Sequence, residues 1–159
     1  ISILKDAKAI YMYGVAGSGK STRAHELRRL TEKMQGKSVF FENAVALYSR
    51  IIESKNPDKS YKYLAKIDYL FIDDVGMLPK TQGAVNFLYR VINDRYEENK
   101  PIVLTSQLSL ADFDARFQSV DADGVRAIVS RLADMCEQIE LAEHDWRVLN
   151  KGNGGTNVD

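Results

Sequence analysis

Residues 14–22 read Gly14-Val15-Ala16-Gly17-Ser18-Gly19-Lys20-Ser21-Thr22, and the reading of this stretch decides the fold. It satisfies the pattern G-x-x-x-x-G-K-[ST] in full. Glycines let backbone N–H groups turn inward around phosphate oxygens, and a following helix N-terminus adds partial positive charge. In such a loop Lys20 reaches the β- and γ-phosphates and the Ser21 hydroxyl ligates Mg²⁺. The flanks suit this reading. Lys8-Ala9-Ile10-Tyr11-Met12-Tyr13 enters as a strand, and residues 19–35 leave as a helix, with Ala24, Leu27 and Leu30 at helical spacing before Gly36.

Outward from the loop, apolar runs alternate with helix-like segments, the pattern of an α/β domain. Residues 38–41 form a second strand and 43–54 a second helix. Tyr69-Leu70-Phe71-Ile72 is apolar throughout, as a strand buried on both faces must be. A helix follows over 81–98, then the buried strand Ile102-Val103-Leu104-Thr105 after Pro101, and helices near 110–117 and 123–134. A last strand pair is expected near 137–141 and 146–149. The expected fold is α/β, a three-layer P-loop NTPase whose central sheet is five-stranded and mainly parallel.

Two further strand ends carry chemistry. After residues 69–72 come Asp73 and Asp74: Asp73 is placed to hold Mg²⁺ through water and Asp74 to orient the attacking water. After Thr105-Ser106 comes Gln107, an uncharged side chain able to position that water beside the γ-phosphate. Ligands of open parallel sheets bind beyond the carboxyl ends of the strands. Gly14, Asp73 and Gln107 each follow such an end, so one site can gather all three. Phosphoryl transfer also calls for positive charge at the transition state. Arg126 and Arg131, on the helix expected near 123–134, are the candidates.

Composition sets the outer limits. The chain has 159 residues, 45% hydrophobic and 28% charged, the make-up of a folded domain rather than a disordered chain. A single cysteine, Cys136, excludes an internal disulfide and a multi-cysteine metal site, and fits a reducing compartment such as the cytoplasm. No apolar run approaches the length of a membrane span. Lys+Arg and Asp+Glu are equal at 22 each, which speaks against bulk-charge coating of nucleic acid. The balance is uneven, however. Residues 1–80 hold 14 basic against 9 acidic residues, a net of +5, and residues 81–159 hold 8 against 13, a net of −5. Scattered solvated charge is one reading; a basic and an acidic face suited to head-to-tail self-association is the other.

Four stretches together resemble the AAA+ ATPases of the DnaC/IstB helicase-loader group: residues 14–22, 71–76 (FIDDVG), 92–108 (INDRYEENKPIVLTSQL) and 130–141 (SRLADMCEQIEL), followed by Trp146-Arg147. The likeness spans about residues 3–149. It implies an ATP- and Mg²⁺-dependent ATPase with Lys20 and Ser21 as Walker A residues and Asp73 and Asp74 as Walker B. Gln107 falls at sensor 1, where asparagine is usual in loaders and glutamine resembles the transposition branch. Arg131 matches the arginine finger that acts in trans, and Arg147 a sensor 2 analogue. Only 18 residues follow position 141, too few for the C-terminal helical lid of larger AAA+ proteins, which the loader group also lacks. Residues 1–149 are expected to form the ATPase domain and 150–159 a disordered tail. The start at Ile1 rather than Met, and the lack of a helicase-binding region, imply a missing upstream domain.

The resemblance leaves three functions open: a helicase loader that binds single-stranded DNA and a replicative DNA helicase, an ATPase partner of a transposase on duplex DNA, and a nucleotide-dependent scaffold. An ATP-dependent homo-oligomer, ring or spiral, is expected. For DNA the candidate is residues 55–66, with four lysines, one acid and two tyrosines. Here Lys59 and Lys62 would pair with phosphates and Tyr61 would stack on a base. The alternative is an ordinary solvated connector, with a tyrosine tucked against the core.

Overall fold

The computed structural model describes residues 9–142. Five strands, β1 (Ala9–Tyr13), β2 (Val39–Asn43), β3 (Tyr69–Asp73), β4 (Ile102–Ser106) and β5 (Cys136–Glu140), form one sheet in the order β2-β3-β4-β1-β5. All four pairings are parallel. The helices are α1 (Lys20–Glu32), α2 (Ala44–Ile52), α3 (Pro57–Lys66), α4 (Gln82–Glu97), α5 (Leu110–Phe117) and α6 (Ala122–Met135).

The order of the strands dictates the layering. From β1 the chain crosses to the far edge at β2 by way of α1, then returns stepwise through β3 and β4 to β5. Right-handed crossovers in opposite directions put their helices on opposite faces. Alternate residues of the strands accordingly feed two cores. Ala9, Tyr11, Leu70, Ile72, Ile102 and Leu104 join the larger cluster with α2 to α6. Ile10, Met12, Tyr69, Phe71 and Val103 face the other way, with Leu27 of α1 packed on them. Strands buried on both faces must be apolar along their buried length, which is why residues 70–72 and 102–104 carry no polar side chain.

Side chains close most helix starts. Asn43, Asn56, Thr81, Ser109 and Asp121 each accept a backbone N–H at the N-cap of α2, α3, α4, α5 and α6. α1 is different: its N-cap is Gly19, at φ 86°, with no side-chain cap. Its first N–H groups stay open toward the loop.

The connector expected over residues 55–66 is instead the helix α3. Asn56 caps it, and Pro57 occupies a first-turn position where its missing N–H costs nothing. Arg95, on α4, is fully buried. Its guanidinium donates to the carbonyls of Leu64 and Asp68, each at 3.1 Å, and to those of Ile67 and Pro101. One side chain thereby ties the end of α3 to the starts of β3 and β4. The second member of the expected last strand pair (146–149) and the tail (150–159) lie outside the described residues.

Candidate nucleotide site

The loop between β1 and α1 is held at both ends. Gly14 N–H donates to the Ser106 carbonyl at 3.1 Å, which continues the β1–β4 ladder past the strand end. A Cβ on Gly14 would lie 2.2 Å from the Leu141 carbonyl oxygen and 2.8 Å from Ser18 Oγ, so only glycine fits. Gly17 and Gly19 take positive φ, 84° and 86°, conformations that L side chains resist. Gly17, Gly19, Lys20, Ser21 and Thr22 line a cradle of about 230 Å³. Lys20 is buried, and so is Ser18, whose Oγ has no hydrogen-bond partner.

The acids sit directly opposite. Ser21 Oγ donates to Asp73 Oδ1 at 3.0 Å and to Oδ2 at 3.1 Å. The Thr105 hydroxyl donates to Asp73 Oδ1 and accepts from the Asp74 N–H at 2.9 Å. Asp74 is left-handed, at φ 59° and ψ 50°. Its carboxyl is pushed above the ordinary aspartate range, first by burial and then by Asp73, with Lys20 acting in the opposite sense. Gln107 Nε2 donates to Met77 Sδ at 3.0 Å. Beneath it, a Cβ on Gly76 would come within 3.2 Å of Gln107 Oε1 and 2.7 Å of Ser106 Oγ. The Tyr11 hydroxyl donates to the Leu108 carbonyl at 2.7 Å and so pins the chain just beyond Gln107; burial raises that phenol to about 12.

The arrangement fits the groups that the sequence implies. An uncapped helix start, a buried ammonium and an unpartnered serine hydroxyl are donors for phosphate oxygens. Ser21 and Asp73 are hard oxygen donors within 3.1 Å of each other, which suits Mg²⁺ completed by phosphate oxygens and water.

Other candidates stand apart. Arg131 Nε donates to Asn93 Oδ1 at 2.8 Å, and its guanidinium lies over the rings of Tyr89 (5.2 Å) and Tyr96 (5.9 Å). It is seated on α4 rather than at the cradle. Arg126 pairs with Asp123 at an exposed site. On α3, Lys59 and Lys62 are exposed. Tyr61 is half-buried near Phe87 with Arg90 over its ring at 4.1 Å, so this ring is not presented as a free stacking surface. Arg147 lies outside the described residues. Two residues escaped the sequence reading. Thr105 had a signal, a hydroxyl directly after the apolar run 102–104. Arg95 had one too, since Leu88, Ile92 and Arg95 share the buried face of α4.

A parallel sheet in this order, with the phosphate loop after β1 and paired acids after β3, defines an AAA+ type P-loop NTPase. The comparisons with known proteins place it more narrowly. The chain belongs to the family described as IstB-like ATP binding protein, whose sequence model matches residues 1–154. A protein of insertion sequence IS21 from Pseudomonas aeruginosa, named for ATP binding, is 24% identical over 158 residues, 98% of this chain and 58% of that protein. The chromosomal replication initiator DnaA of Borrelia garinii subsp. bavariensis is 29% identical over 130 residues, 76% of this chain and 26% of that protein. The chain thus spans only part of each of these relatives. Among solved structures, AMPPCP-bound DnaA from Aquifex aeolicus aligns with a TM-score of 0.78 at 18% identity, covering 99% of this chain and 50% of that one. The DnaC helicase loader aligns at 0.69 and 21% identity, covering 85% and 78%. At these identities the likeness is one of fold. No described helix is long and apolar enough to cross a membrane.

Proposed function

We propose that this chain is the ATPase core of a helicase loader: it binds Mg·ATP at residues 14–22, hydrolyses it slowly alone, and assembles head-to-tail on single-stranded DNA in the cytoplasm. The observation that carries the nucleotide chemistry is the pairing of Ser21 with Asp73 at the mouth of an uncapped helix. Mg²⁺ held there would neutralise charge on the phosphates. Lys20 would bind β- and γ-oxygens, Asp73 and Ser21 would hold the metal, and Asp74 with Gln107 would orient the attacking water. Asp74 is suited to that role because its carboxyl is half-buried and drawn toward holding a proton. Arg131, from the next subunit, would supply transition-state charge, and Arg147 further positive charge. Lys59 and Lys62, exposed on α3, are the proposed phosphate contacts to DNA, with Tyr61 as packing beneath them. A replicative helicase is the proposed protein partner.

A second reading is an ATPase partner of a transposase acting on duplex DNA. It is favoured by the IstB-like family match and by the alignment with the IS21 protein over 98% of the chain. Phosphate release by the parent and by Asp74→Asn, each with single-stranded and with duplex DNA, tests both. The loader reading expects turnover that requires Asp74 and is stimulated by single strands. Turnover that persists in Asp74→Asn counts against the proposed chemistry, and stimulation by duplex alone favours the transposition partner.

A further inference from the structure

We propose that Thr105 is a positioning residue for the hydrolytic reaction: its hydroxyl fixes Asp73 as the metal-side acid and holds Asp74 in the separate orientation that the water-side acid needs. The inference rests on the ATPase reading above and assigns a residue that the phosphate-loop motif does not contain.

Thr105 follows the apolar residues 102–104 of β4, and it is only 1% exposed. Burying a hydroxyl is costly unless both its donor and acceptor functions are used. Here both are, and both partners belong to the acid pair: the O–H goes to Asp73 Oδ1 and the oxygen takes the Asp74 N–H. Two consequences follow. The Asp73 carboxylate is held from two sides, by Thr105 from the β4 side and by Ser21 from the cradle side. And the backbone at Asp74, in the left-handed region at φ 59°, is tied by its own N–H, which fixes the turn from which its carboxyl projects. A left-handed aspartate is a sparsely populated conformation that surrounding contacts must hold.

Thr105 is not among the residues lining the cradle, so it acts through Asp73 and Asp74 rather than on the nucleotide. This separates it from a cradle residue in experiment. Thr105→Val keeps the shape and removes the hydroxyl; Thr105→Ser keeps the hydroxyl; Thr105→Cys keeps the size with a weaker donor. Each is measured for phosphate release against Mg²⁺ concentration at saturating ATP, and for affinity toward a fluorescent ATP analogue in EDTA and in Mg²⁺. Loss of an outer partner of a metal ligand typically costs about 10- to 100-fold in metal affinity or activity. Thr105→Val should therefore need about tenfold more Mg²⁺ for turnover, with its EDTA affinity unchanged. Thr105→Ser should track the parent, and Thr105→Cys should fall between. A merely structural hydroxyl would lower stability and leave the Mg²⁺ dependence alone. Parental Mg²⁺ behaviour in Thr105→Val overturns the proposal, as does a Thr105→Ser impaired like the valine variant. Should the valine variant not fold, parental Mg²⁺ behaviour in Thr105→Cys overturns it equally. If the parent itself releases no phosphate, the ATPase reading fails, while the Mg²⁺-dependent gain in analogue affinity still reports whether Thr105 positions Asp73.

Discussion

Replacing Arg95 with methionine removes the guanidinium and keeps most of the side chain's length. Four backbone carbonyls, of Leu64, Ile67, Asp68 and Pro101, lose their donor in a region closed to water. The guanidinium remains charged at neutral pH, because burial lowers it only to about 10. Hydrogen bonds to a charged group contribute about 1.5–3 kcal/mol each, but methionine also escapes the cost of burying a charge, which is several kcal/mol. What remains is about 1 kcal/mol for each stranded carbonyl, or about 4 kcal/mol in all. Against a total of about 5–15 kcal/mol for a typical domain, that is a large share. Urea unfolding followed by far-UV circular dichroism should show it directly. Arg95→Lys, with three donors on a point charge, should lose about half as much. Since these carbonyls lie at the amino ends of β3 and β4, about 17 Å of strand away from the cradle, nucleotide affinity below the melting range should be unchanged. A loss under about 1 kcal/mol in Arg95→Met would refute the claim that this side chain knits α3 to the sheet.

Two further substitutions probe the loop and the acids. Gly14→Ala drives a methyl group against the Leu141 carbonyl, so it should cost about 1–3 kcal/mol of stability and weaken nucleotide binding in an equilibrium titration. Asp74→Asn should stabilise the metal-free domain at pH 7 while stopping turnover. A carboxyl raised in the folded state binds its proton more tightly there than when unfolded, so charging it opposes folding. That penalty is absent below the unfolded value and present in full above the folded one. The melting temperatures of Asp74→Asn and parent should differ at neutrality and converge toward pH 4.

The phosphate loop, the acid pair and the parallel sheet were legible because each rests on local chemistry: glycine spacing, an apolar run ended by charge, and helices alternating with strands. α3 was legible too, in the Asn56-Pro57 pair that caps it, but four lysines drew the reading toward a loop. The partnerships of Thr105 and Arg95 were not legible, because they join residues about 30 positions apart through a sheet register that no local pattern reveals. The seat of Arg131 on Asn93, Tyr89 and Tyr96 is of the same kind. A residue matched to a trans-acting role carries no sequence mark of what holds it within its own chain.

The central claim, that residues 14–22 form a working nucleotide site, is tested most directly by equilibrium binding of a fluorescent ATP analogue with Mg²⁺ to the parent and to Lys20→Ala. Lys20 is buried beside the cradle, so the account predicts saturable one-to-one binding by the parent and its loss in the variant, with both proteins folded by circular dichroism. Equal affinity in the two proteins would contradict it.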